Sequence, residues 1–138
     1  MKFKNMEDFV TYEQAKSLKE LGFYWPCLYW YHPNEDDKTK RFRMSNEMNH
    51  NIYKRGISAP SLSLAQKWLR EKEIEVGVFA EFDGEIRTGK WMWLVRKFNT
   101  HLYDTIFSED ISYDTYEEAL TDAITKALEI LNKDKDEK

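Results

Sequence analysis

Ile74-Glu75-Val76-Gly77-Val78-Phe79-Ala80-Glu81-Phe82 is followed at once by Asp83-Gly84. Ile74, Val76, Val78, Ala80 and Phe82 alternate with Glu75, Gly77, Phe79 and Glu81, which gives a strand one mainly apolar face. Asp-Gly is a strong hairpin signal, so the chain is expected to reverse there. Lys90 to Phe98 and His101 to Phe107 read as two further strands joined near Asn99-Thr100. Upstream, Pro26 closes off helix, and Cys27 to His32 is rich in the Leu, Tyr and Trp that suit a pleated surface. Pro33-Asn34-Glu35-Asp36-Asp37 is turn chemistry, and Lys38 to Met44 returns as the second half of a hairpin with Phe42 and Met44 on one face.

Helices frame these strands. Thr11-Tyr12-Glu13-Gln14-Ala15 and Thr115-Tyr116-Glu117-Glu118-Ala119 each set a Thr three residues ahead of a Gln or Glu, the spacing of a capping box. The first helix is predicted from Tyr12 to Leu21, with Tyr12, Ala15, Leu18 and Leu21 inward. Gly22 then ends it, and Phe23 folds back on it. A second runs from Leu62 to Lys72, with Ser63 and Gln66 as its capping box. The third runs from Tyr116 to Leu131, its apolar residues recurring at i, i+3, i+4 and i+7. Residues 45–60 show no period and read as a long loop that hides a short strand near Asn51–Lys54. The expectation is an α+β fold: an antiparallel sheet of about five strands with three helices, in the order α-β-β-α-β-β-β-α. Residues 1–138 are expected to form a single domain, with 132–138 a frayed charged tail.

At 138 residues the length suits one domain. Cys27 is the single cysteine, so no intramolecular disulfide can form and a reducing compartment suffices. No apolar run approaches the roughly 18 residues of a membrane span, and the first residues lack the apolar stretch of a signal peptide. A cytoplasmic protein without membrane contact is expected. The net charge of −4 is unevenly spread: residues 1–37 sum to −3, residues 38–72 to +7 and residues 73–138 to −8.

Local motifs for chemistry are missing. His32, His50 and His101 lack the i, i+4 spacing that sets two imidazoles on one helix face. Cys27 begins an apolar strand and reads as a buried inert thiol. Glu35-Asp36-Asp37 lacks the spaced ligands and glycine of a calcium loop and reads as a solvated turn. Gly84 and Gly89 flank a stretch with no phosphate-loop pattern. Neither enzymatic activity, a cofactor nor a metal is expected.

Taken together, several segments carry a resemblance. They are Thr11-Tyr12-Glu13-Gln14-Ala15 continuing through Leu18-Lys19-Glu20-Leu21-Gly22-Phe23, then Pro26-Cys27, Ser58-Ala59-Pro60, Trp68-Leu69-Arg70-Glu71-Lys72, and Tyr116-Glu117-Glu118-Ala119. In order and spacing this set resembles small uncharacterised proteins of phages, prophages and mobile elements in Bacteroides-type gut bacteria. The resemblance implies an accessory role in such an element and brings no catalytic residue with it. Residues 34–57 and 83–90 stand outside it.

Two features point to binding. Trp91-Met92-Trp93-Leu94-Val95 is apolar on both faces, with Trp91, Trp93 and Val95 on one side and Met92 and Leu94 on the other. Either both sides are covered within the chain, or one is an open sheet face that meets a partner or a second copy. Basic residues also interleave with aromatics in Lys38-Thr39-Lys40-Arg41-Phe42-Arg43 and Tyr53-Lys54-Arg55, and again in Trp93-Leu94-Val95-Arg96-Lys97-Phe98. Cations that merely solubilise a hairpin are the simpler account of that pattern, given the acidic net charge. The reading is therefore an interaction module that binds another protein or itself. Trp91 and Trp93 are its expected apolar anchors, with Arg41, Arg43, Lys54 and Arg55 as a polar rim. The alternative is a nucleic-acid binder using the basic and aromatic block 38–55.

Overall fold

The computed structural model of the chain describes residues 8–52 and 56–137. Among these residues three helices accompany two three-stranded antiparallel sheets, so the class is α+β, with six strands in two sheets where about five in one were expected. The chain divides into two compact units, Met1–Ala65 with Leu131–Lys138, and Gln66–Ile130.

The first unit starts from helix α1, Tyr12–Glu20. Its capping box is formed: the Thr11 hydroxyl accepts from the Gln14 N–H at 3.2 Å, and Gln14 Oε1 accepts from the Thr11 N–H at 3.0 Å. At the other end Gly22 takes φ +92°, the left-handed conformation that costs glycine nothing. The Gly22 N–H then reaches the Lys19 carbonyl, and the Phe23 N–H reaches Leu18, closing a Schellman turn that seals Phe23 in the core. Strand β1, Cys27–Tyr31, lies between β2, Phe42–Met48, and β3, Ile57–Ser58. Tyr31 is buried, its hydroxyl donating to the Val10 carbonyl at 2.7 Å and its ring meeting Tyr12 edge-on. Strand β2 starts later than the expected Lys38, and its register against β1 shifts between Cys27 and Tyr29.

The loop expected at 45–60 is built on side-chain hydrogen bonds. Its first residues, 45–48, continue β2, a 3-10 turn occupies His50–Ile52 and a strand follows at Ile57–Ser58; of the strand expected near Asn51–Lys54, Asn51 and Ile52 lie in that turn and the rest lies outside the described residues. Asn51 is 8% exposed; its amide donates to the Phe23 carbonyl at 2.7 Å and its oxygen accepts from the Ser58 N–H at 2.8 Å. The Ser58 hydroxyl accepts from the His50 N–H, and Lys19 Nζ donates to the Gly56 carbonyl at 2.8 Å.

His50 is buried, and its Nε2 lies 2.8 Å from the Cys27 carbonyl. A carbonyl only accepts, so Nε2 carries the proton of the neutral ring. Burial lowers the His50 pKa below its ordinary value, and the bond to Cys27 offsets part of that shift. The unfolded chain therefore binds a proton that the folded chain resists. This contribution is fully present above the unfolded value of about 6.5 and is lost as pH falls below it toward the folded value. Urea midpoints are expected to drop between pH 7.5 and pH 5, and His50→Gln should flatten that part of the profile.

The second unit is organised by β4, Ile74–Asp83, and β5, Ile86–Lys97, a long hairpin whose Gly84 takes φ +63° at the predicted turn. Strand β6, Ile106–Phe107, pairs with β5, giving the order β4-β5-β6. The expected third strand of this set is shorter because His101 to Thr105 folds around a 3-10 turn at Leu102–Asp104. Helix α2, Leu62–Glu71, is capped by Ser61, whose hydroxyl accepts from the Leu64 N–H. The expected Ser63 and Gln66 box does not form: within the second unit the Gln66 amide donates to the Val76 carbonyl at 2.7 Å. Helix α3, Tyr116–Asp136, buries Ala119, Leu120, Ala123, Ile124, Ala127 and Leu128, the stripe its spacing predicts. It also continues past Leu131 to Asp136, where a frayed tail was expected. Lys133 and Lys135 in its last turn favour the negative end of the helix dipole.

Candidate protein-binding surface

The hairpin register sorts every side chain of the second sheet onto one of two faces. Val76 opposes Val95 and Val78 opposes Trp93, while Ala80 opposes Trp91 and Ile106 joins from β6. Ile74, Val76, Trp93 and Val95 on this face are buried. Trp93 is 8% exposed, and its Nε1–H donates to the Tyr113 hydroxyl at 3.1 Å, which in turn donates to Asp122 of α3 at 2.7 Å. Burial raises the Tyr113 pKa, so the phenol stays protonated and can serve as that relay. Trp91 is half-buried, with Tyr116 of α3 edge-on at 5.4 Å and the Arg87 guanidinium over its ring at 5.1 Å.

These contacts treat the two expected anchors differently. Trp93 is core: its indole is enclosed and its one donor is used. Trp91 lies at the margin of the same face, between Tyr116 and Arg87, and keeps part of its surface exposed.

The opposite face is the open one. Gly77 opposes Leu94, Phe79 opposes Met92, and Leu94 opposes Phe107. Gly77, Phe79, Met92 and Leu94 are half-buried and Phe107 is 47% exposed. Phe79 and Phe107 meet edge-on at 6.3 Å across the strands. A Cβ on Gly77 would touch the Leu94 side chain at 3.4 Å, so Leu94 lies flat over the bare backbone of its neighbour. An ion pair between Arg96 and Glu75 at 2.6 Å borders the patch on one side, and Glu81, accepting from Thr88 at 2.8 Å, borders it on the other. The result is a two-sided strand whose second apolar face is only partly covered. Met92 and Leu94 were visible in sequence as that second face; Phe79 and Phe107 complete it and were missed as binding residues. Phe79 was legible as the one apolar intruder in the polar half of β4's alternation.

The basic block is mostly engaged within the first unit. Lys38 donates to the Pro33 and Glu35 carbonyls, both at 2.7 Å, and sits over the Tyr12 ring. Lys40 sits over Phe42, and the Arg41 guanidinium lies 4.5 Å from the Phe9 ring centre. Arg43 is exposed on β2 opposite Tyr29. Lys54 and Arg55 lie outside the described residues. Arg41 and Arg43 belong to the first unit, Trp91 and Trp93 to the second.

Beside the start of β1 a cavity of about 150 Å³ is lined by residues that include Phe9, Cys27, Tyr29, Glu47, Ser61 and Leu64. That is below the roughly 300 Å³ at which ligand clefts begin. Burial pushes the Cys27 thiol up from its ordinary value, so its sulfur is not held as the thiolate a nucleophile requires. Among the described residues, no three of His, Cys, Asp and Glu converge to hold a metal ion, and no helix is long and apolar enough to cross a membrane.

Comparison with protein families, with curated proteins and with solved structures finds no match to this chain.

Proposed function

We propose that this protein is a small interaction module that binds another protein through the open face of its β4–β5–β6 sheet. One observation carries the reading: Phe79, Met92, Leu94 and Phe107 form a continuous apolar strip across three strands, left partly uncovered, while the opposite face buries Ile74, Val76, Trp93 and Val95. Apolar strips of this kind, rimmed by charge, are where protein partners dock. Met and Phe are also enriched at interface cores. The accessory role in a phage or mobile element is part of the same proposal and rests on the sequence resemblance alone. The nucleic-acid alternative draws less support, because Lys38, Lys40 and Arg41 each lie over a ring of their own unit.

A photo-crosslinking amino acid at Phe107, in cells that express the chain, tests this. A protein adduct is expected there and not at the exposed Glu129 of α3. Adducts to nucleic acid would favour the alternative, and no adduct would contradict the reading.

A further inference from the structure

The outer edge of β4 offers a second recognition element beside the apolar strip. Strand β4 is ten residues long and, among the described residues, pairs only with β5. In an antiparallel ladder, opposed residues alternate between bonding each other and turning their main-chain groups away. Trp91 bonds Tyr113 through both its N–H and its C=O, and the Trp93 carbonyl accepts from Ser108 at 3.0 Å. Both tryptophans therefore direct these groups away from β4. Ala80 and Val78, which oppose them, must turn theirs to the free side. The Val76 carbonyl shows the same orientation, since it accepts from the Gln66 side-chain amide, which stands where a neighbouring strand's N–H would be. Beyond Gln66, the N–H and C=O groups of Val78 and Ala80 have no partner among the described residues.

Charge selects the occupant. Strand β4 carries Glu75, Glu81 and Asp83 and no lysine or arginine. A second copy laid antiparallel along Val76–Ala80 would set Glu75 against Glu81 at both ends, and like charges directly opposite are unfavourable. We propose that β4 accepts, as a fourth strand, an extended basic segment of another protein in which cationic and apolar residues alternate. Main-chain bonds to Val78 and Ala80 would hold it, its cations would meet Glu81 and Asp83 on the face of Phe79, and its apolar side chains, on the other face, would extend the side of Val78 and Ala80. This rests on the protein-binding reading and names the mode and the partner's chemistry.

The test uses the isotope-labelled full chain and two end-blocked hexapeptides, Lys-Val-Lys-Val-Lys-Val and Glu-Val-Glu-Val-Glu-Val. In the free chain the Val78 and Ala80 amides should exchange with solvent much faster than those of Gly77 and Phe79, and the lysine peptide should slow them. The glutamate peptide should bind about tenfold or more weakly by comparison. Val78→Pro removes an outward N–H that an edge strand does not use internally, so it should abolish peptide binding and keep the fold. Should that variant unfold, Glu81→Lys with Asp83→Lys decides the same question by reversing the peptide preference. Val78 and Ala80 amides already protected in the free chain would overturn the proposal. So would equal binding of the two peptides, no binding of either, or a preference unmoved by charge reversal. A protein adduct at Phe107 together with any of these results would leave the binding reading standing and remove only strand addition.

Discussion

Trp93→Ala is expected to destabilise the protein by about 3–5 kcal/mol, the range for emptying a large aromatic site in a packed core. Trp93 is 8% exposed, and truncation would also strip the Tyr113 hydroxyl of the indole donor it accepts from. Trp91→Ala should cost less, about 1–2 kcal/mol, because the loss there is a half-buried ring and one edge-on contact with Tyr116. Denaturant unfolding followed by far-ultraviolet circular dichroism reads both. The gap between the two variants is the informative quantity, since a pair of surface anchors would leave the midpoint nearly unchanged in each. Phe107→Ser, on the open face, should stay within about half a kcal/mol of the parent, as surface substitutions do.

Asn51→Ala should cost about 2–6 kcal/mol. One side chain satisfies two main-chain groups, the Phe23 carbonyl and the Ser58 N–H, and each such group left buried without a partner costs about 1–3 kcal/mol. Asn51→Asp retains the acceptor for Ser58 and loses the donor to Phe23. At neutral pH, where the ionised carboxylate only accepts, this variant's urea midpoint should therefore fall below the parent's. Equal midpoints for parent and Ala would mean that water replaces both bonds and that the turn at His50–Ile52 is not held by Asn51.

The parts of this fold that could be read in sequence are those whose cause is local. Thr11 with Gln14 specifies a helix start through two hydrogen bonds spanning three residues. Gly22 followed by Phe23 specifies an end, and Asp83-Gly84 specifies a reversal, each through the backbone angles glycine permits. The parts that could not be read depend on distant partners. Ile57–Ser58 is a strand of two residues that exists because Tyr31 and Trp30 pair with it and because Asn51 holds Ser58 in place. No periodicity exists in so short a segment. Likewise the division into two sheets depends on which strands pair, and an alternating pattern names a face without naming a neighbour.

The candidate site shows the same limit at a single strand. Trp91-Met92-Trp93-Leu94-Val95 announces two apolar faces, but the larger side chains carry no label saying which face the helices cover. Tyr113, Ser108 and Tyr116 decide it through bonds and ring contacts to Trp93 and Trp91. The size of tryptophan, which made it look like an anchor, is what makes it suitable for filling the core. The smaller Met92 and Leu94 are left on the side with room for something else.

Solvent paramagnetic relaxation on a methyl-labelled sample, using an inert gadolinium chelate, reads how open the Phe79–Phe107 face is. The Met92 and Leu94 methyls should relax far faster than those of Val95 and Ile124, which are fully buried. Rates for Met92 and Leu94 as slow as those of Val95 would mean that the face is closed within the chain, and the protein would have no open apolar sheet to offer a partner.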